Sequence, residues 1–191
     1  MKKLRGLIYF ILFALLIWGF IYLGKKDFSS TISDSERFSK EYQSIPTDNP
    51  FTYVGSSGVL KILNGETGII LVGFSSNNWM QEYVKQLYPI LKENDIKKVY
   101  YYDVIEDRMK KTKNFRQIED ALSKYLKITD MGTEYLFTPA LIFVKDGKII
   151  NYDDETSLVS YDMQPATYWN SDAITNFKNK INVYLSEVIY N

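Results

Sequence analysis

"GIILVGFSSNNWM", residues 68–80, passes from a β-branched apolar run through a polar turn into an amphipathic segment. Ile69, Ile70, Leu71 and Val72 follow one another without a polar break. A strand with one wet face would alternate, so this run reads as a central strand buried on both faces. After Asn77 the period changes. Trp79, Tyr83, Leu87, Ile90 and Leu91 recur three or four residues apart, which predicts a helix over residues 78–94. Pro89 lies inside that pattern and is expected to kink the helix and remove one backbone hydrogen bond. A polar turn between a strand's carboxyl end and a helix N-terminus is a common place for chemistry. Ser75, Ser76, Asn77, Asn78, Trp79 and Met80 offer it no strong acid, base or thiol.

The same alternation of elements extends in both directions. "FTYV" at 51–54 reads as a short strand, and "SSGVLKILN" at 56–64 as a short helix begun by serine. "KKVYYYDV" at 97–104 is a second buried strand with Asp103 at its carboxyl end. A charged loop over 105–113 leads to a helix over 114–126, with Phe115, Ile118, Leu122 and Leu126 on one face. Two further strands meet at Asp146-Gly147, a strong hairpin signal. Ser171 is expected to cap a last helix carrying Ile174, Phe177, Ile181, Leu185 and Val188. The order β-α-β-α-β-α-β-β-α predicts an α/β domain over 51–191, with a mixed central sheet and helices on both faces.

Composition narrows the chemistry. The chain has 191 residues and neither cysteine nor histidine. Disulfides, thiolate nucleophiles and His-dependent mechanisms are therefore excluded, as are the commonest zinc ligands. Net charge is zero and no basic stripe appears, so nucleic acid is not an expected partner.

Residues 7–23 carry no charge and would span roughly 25 Å as a helix, slightly short of a bilayer's hydrocarbon core. Lys2, Lys3 and Arg5 precede them; Lys25 and Lys26 follow. The run is longer than a signal-peptide core and no small-x-small cleavage pattern follows it. Residues 1–26 are therefore read as an uncleaved signal anchor in the lipid bilayer. The N-terminus is placed in the cytoplasm and the body outside. Residues 27–50 read as a polar stalk, with a short helix over 35–43 capped by Ser35.

"GFSSNNWM" at 73–80 resembles a turn found in thioredoxin-like proteins. A Gram-positive group of that superfamily, including bacteriocin transport accessory proteins, carries G-F-P-x-C-P-W-C there. Gly73, Phe74 and Trp79 match, Asn77 and Met80 stand at the two cysteines, and Ser75 and Asn78 stand at the prolines. "FTPALIFVKDGKII" at 137–150 is similar to the superfamily's cis-proline strand and hairpin, which implies a cis Thr138-Pro139 bond. "LKENDIKKVYYYDV" at 91–104 is similar to a third segment of the group. Lys85 replaces the group's helix proline, and a long insert precedes the last helix. The resemblance covers 51–190 and implies a thioredoxin-like fold behind the transmembrane helix.

It also implies a peptide groove lined by Phe74, Asn77, Trp79, Thr138 and Pro139. Asparagine is neither nucleophilic nor titratable, and methionine forms no disulfide, so thiol oxidoreductase activity is excluded. Three readings of the turn stay open. Asn77 only caps the helix, the groove holds a peptide by strand addition, or the helix N-terminus holds an anion.

Two acidic groups complete the candidates. Asp153, Asp154 and Glu155 read as a solvated hairpin end, with a hard cation as the alternative, although the spacing lacks a calcium-loop pattern. Asp103, Glu106 and Asp107, with Arg108, would sit at the sheet's carboxyl edge, where a carboxylate pair for hydrolysis is conceivable. The expectation is a redox-inactive, membrane-tethered protein with no catalytic residues, metal or cofactor. It would bind a protein or peptide in an export, transfer or envelope complex. The alternatives are a structural subunit bound through its transmembrane helix and a carboxylate- or metal-dependent enzyme.

Overall fold

The computed structural model describes residues 32–157, 159 and 162–190. The expected anchor at 7–23, and with it the bilayer contact, lies outside the described residues. Among these residues no helix is long and apolar enough to cross a membrane.

Ser33–Asn191 forms a compact α/β unit. Its elements are α1 (Asp34–Glu41), β1 (Phe51–Tyr53), α2 (Ser56–Leu63), β2 (Gly68–Gly73), α3 (Asn78–Glu93), β3 (Val99–Asp103), α4 (Ile105–Lys110) and α5 (Lys113–Leu122). There follow β4 (Lys127–Ile128), β5 (Glu134–Tyr135), β6 (Ala140–Lys145), β7 (Lys148–Asp153), α6 (Pro165–Tyr168) and α7 (Ser171–Tyr190). Five strands make a mixed sheet in the order β1-β3-β2-β6-β7. β1, β3 and β2 are parallel; β6 runs antiparallel to β2 and β7 antiparallel to β6.

The apolar run in β2 is central, as expected, and strand alternation divides it between two layers. Ile69 and Leu71 face one cluster with Tyr83, Leu87 and Leu91 of α3 and Phe177, Ile181 and Leu185 of α7. Ile70 and Val72 face the other, with Val59 and Ile62 of α2 and Phe115, Ile118 and Leu122 of α5. Helices thus cover both faces. α3 continues through Pro89, which is exposed. The hairpin turns at Asp146 and Gly147, whose φ angles of 48° and 74° suit a type I′ turn.

Several boundaries differ from the sequence reading. Residues 33–50 do not form a stalk. Ser33, rather than Ser35, caps α1 in a reciprocal box with Glu36. Phe38, Tyr42 and Ile45 are buried in the first cluster. The Phe38 ring stacks on Phe51 at 4.0 Å and on Tyr42 at 4.4 Å, and Tyr101 meets it edge-on at 5.1 Å. The Tyr42 and Tyr101 hydroxyls share a buried hydrogen bond of 2.8 Å. At the sheet's edge the Tyr53 amide donates to the Asp34 carboxylate at 3.0 Å.

The charged loop at 105–113 contains α4, and α5 ends at Leu122, not at 126. α2 begins at Ser56, as read, with Gly55 before it and no side-chain cap. Asn170 caps α7 in place of Ser171, its side-chain oxygen accepting from the Asp172 and Ala173 amides, each at 3.0 Å.

Candidate functional site

The turn after β2 is built from its neighbours. Asn77 caps α3, its side-chain oxygen accepting from the Trp79 amide at 2.9 Å. Its amide nitrogen turns the other way and donates to the Thr138 carbonyl at 3.1 Å. One side chain therefore ties the helix N-terminus to the segment before β6. The Thr138-Pro139 bond is cis, as the resemblance implies.

The remaining turn residues separate. Met80 is fully buried in the first cluster. A Cβ placed on Gly73 would stand 2.4 Å from the Met80 sulfur, so glycine at the end of β2 is what admits that side chain. Of the five groove residues expected, the structure brings Asn77, Trp79 and Thr138 together, each half-buried; Phe74, equally half-buried, packs against the second cluster, and Pro139 is buried.

A cleft of about 520 Å³ opens beside Trp79 and Thr138. Its other walls are the β4–β5 hairpin, Phe137, and Thr156, Ser157 and Val159. The hairpin escaped sequence reading because each strand has only two residues, too few to show a period. Its usable signals were Gly132, which adopts φ 75°, and the flanking Thr129 and Thr133, whose backbones and hydroxyls close the turn. The hairpin carries Ile128 and Met131, 71% and 88% exposed, and Tyr135 packs edge-on to Phe137 at 4.9 Å. Trp79 is half-buried and meets Tyr168 of α6 edge-on at 5.7 Å.

Asp153, Asp154 and Glu155 are not a solvated hairpin end. Asp153 and Asp154 are buried, and lysines remote in sequence neutralise the group. Lys180 of α7 lies 2.7 Å from Asp153 and also pairs with Glu155; Lys127 lies 2.6 Å from Asp154. Burial pushes the Asp153 carboxyl above its ordinary range, against the pull of Lys180. Tyr168 donates its hydroxyl to Glu155, so the tyrosine beside Trp79 is held by the same network. Among the described residues no three acidic side chains are grouped to hold a metal ion.

The carboxylates after β3 face different tasks. Asp103 accepts from the Ile105 amide at 3.1 Å and its carboxyl is raised, chiefly by burial. Asp107 is partly desolvated, but the Thr112 and Tyr102 hydroxyls at 2.6 and 2.8 Å hold its carboxyl below the ordinary range. Glu106 pairs with Lys110 on the surface, and Arg108 donates to the Leu136 carbonyl at 2.7 Å. Each group has a local structural partner.

No model of a known protein family matches this chain, and no curated protein matches it.

Proposed function

We propose that this chain is a membrane-anchored, redox-inactive member of the thioredoxin-like superfamily that works by non-covalent binding. The cleft beside Trp79 holds a protein or peptide of an extracytoplasmic export, transfer or envelope complex. Residues 7–23 tether the body and raise its effective concentration near membrane partners. The mixed sheet, the strand-turn-helix after β2 and the cis Thr138-Pro139 bond support the fold reading. The absence of cysteine removes the superfamily's thiol chemistry.

The observation that carries the binding role is the pairing of Asn77 with Thr138 at the edge of an open apolar cleft. At the two positions where relatives carry cysteines stand a helix cap and a buried methionine. The surrounding surface keeps a half-buried tryptophan and an apolar hairpin. The test is crosslinking and co-purification from native membranes, comparing the wild type with Trp79→Ala plus Thr138→Arg. Loss of specific crosslinked partners is expected; an unchanged partner set would sink the binding role. Replacing residues 1–26 with an unrelated anchor should leave the partners in place.

A further inference from the structure

We propose that the cleft beside Trp79 selects an extended peptide carrying lysine or arginine next to a large apolar side chain, a specificity that rests on the binding role above. The apolar half of that recognition comes from Trp79, Ile128, Tyr135 and Phe137, which line one continuous cleft. The cleft, about 520 Å³, is open to solvent and walled along one side by the β4–β5 hairpin, and an extended chain can lie along it.

The charge preference follows from which groups are already paired. Lys127 and Asp130 are the charged side chains lining the cleft. Lys127 is committed to Asp154 at 2.6 Å and to the Ser157 hydroxyl, so its charge is neutralised from behind. Asp130 is exposed and makes no ion pair among the described residues. Asp154, 8% exposed, gives one carboxylate oxygen to Lys127, while its second oxygen is buried and has no hydrogen-bond partner. Arg108 lies 5.1 Å from the Tyr135 ring centre. It does not line the cleft, and it is held by the Leu136 carbonyl. An incoming ammonium or guanidinium therefore meets the unpaired Asp130 carboxylate, while Asp154 acts from behind by neutralising Lys127. An incoming carboxylate meets Asp130 and a lysine that is already neutralised. The hydroxyls of Thr129, Thr133 and Thr138 accept or donate and favour neither sign.

Two labelled hexapeptides, GKFLKG and GEFLEG, decide the matter. Each is titrated by fluorescence anisotropy against the full-length protein in zwitterionic-lipid nanodiscs, with empty nanodiscs as blank. At low salt the basic peptide should bind about fivefold tighter, and the gap should narrow as salt rises. Asp130→Lys, an exposed change that leaves the packing intact, should reverse the preference, and Asp154→Asn should shrink it. Equal binding of both peptides, lost in Phe137→Ala with an unchanged thermal melt, overturns the charge assignment and leaves the binding role standing. Binding of neither peptide, or binding indifferent to both Phe137→Ala and Trp79→Ala, overturns the two together.

Discussion

Lys180 on the last helix reaches Asp153 at the end of β7, 2.7 Å away, and shares its charge with Glu155. Asp153 is 3% exposed, so this cation is what allows a carboxylate to sit inside the body. Removing one partner of such a pair is far more harmful than lacking both. Lys180→Met should therefore destabilise by about 3 kcal/mol at neutral pH. The sign with pH follows from Asp153. Its folded pKa is already raised by burial, and losing Lys180 raises it further. A raised carboxyl contributes stability that is present below its unfolded pKa and lost as pH rises through the folded value. The variant's deficit should thus be smaller near pH 4 than at pH 7 in urea unfolding. An equal deficit at both values would exclude this origin.

Residues 33–50 belong to the folding unit. Phe38, Tyr42 and Ile45 each bury a side chain worth roughly 2 kcal/mol. Together they approach the whole stability of a typical domain. A chain starting at residue 33 should melt cooperatively, whereas one starting at residue 51 should be insoluble or lack a cooperative melt. Within the longer chain Phe38→Ala should cost about 4 kcal/mol. A stable, cooperative fragment beginning at residue 51 would contradict the packing described.

Asn77 has two jobs that separate by substitution. Asn77→Asp keeps the oxygen that caps the helix but replaces the donor facing the Thr138 carbonyl with a second acceptor. Asn77→Ala removes both bonds and should cost about 1–2 kcal/mol. Asn77→Asp should also lower the melting temperature, despite aspartate's being as good a cap as asparagine. If it instead matches the wild type, the bond to Thr138 contributes nothing.

Gly73 and Met80 form a coupled pair. Gly73→Ala should cost about 1–3 kcal/mol by overpacking against the methionine. Met80→Ala alone should cost about 2–4 kcal/mol by leaving a cavity. Combined, the two should cost less than their sum, because the smaller side chain makes room for the new methyl. Additive losses in a denaturation cycle would show that Met80 is not the obstacle.

How much of this was legible depended on sequence distance. β2 and α3 could be read because four successive apolar residues and a helical apolar repeat each declare themselves locally. The same is true of the β6–β7 hairpin, since Asp146 and Gly147 tolerate the positive φ that its turn needs. α1 could not be placed. "DSERFSKE" holds one aromatic among polar residues, so its packing is visible only once Phe51 and Tyr101 are beside it. Asp153 to Glu155 looked solvated for a related reason: Lys127 and Lys180 lie about 25 residues to either side. In the candidate site Trp79, Asn77 and Thr138 were recognisable, but the hairpin forming the opposite wall was not. The Phe74 side chain follows the layer into which its strand turns it, which the motif alone does not decide.

The bond from the Tyr53 amide to Asp34 has a consequence for solubility. β1 ends the sheet on one side, and an outermost strand with open amides is a template on which other chains can stack into aggregates. Asp34 occupies that amide with a charged group at 3.0 Å, and the cap at Ser33 fixes the helix that presents it. The first helix of the body thus also guards the sheet's margin.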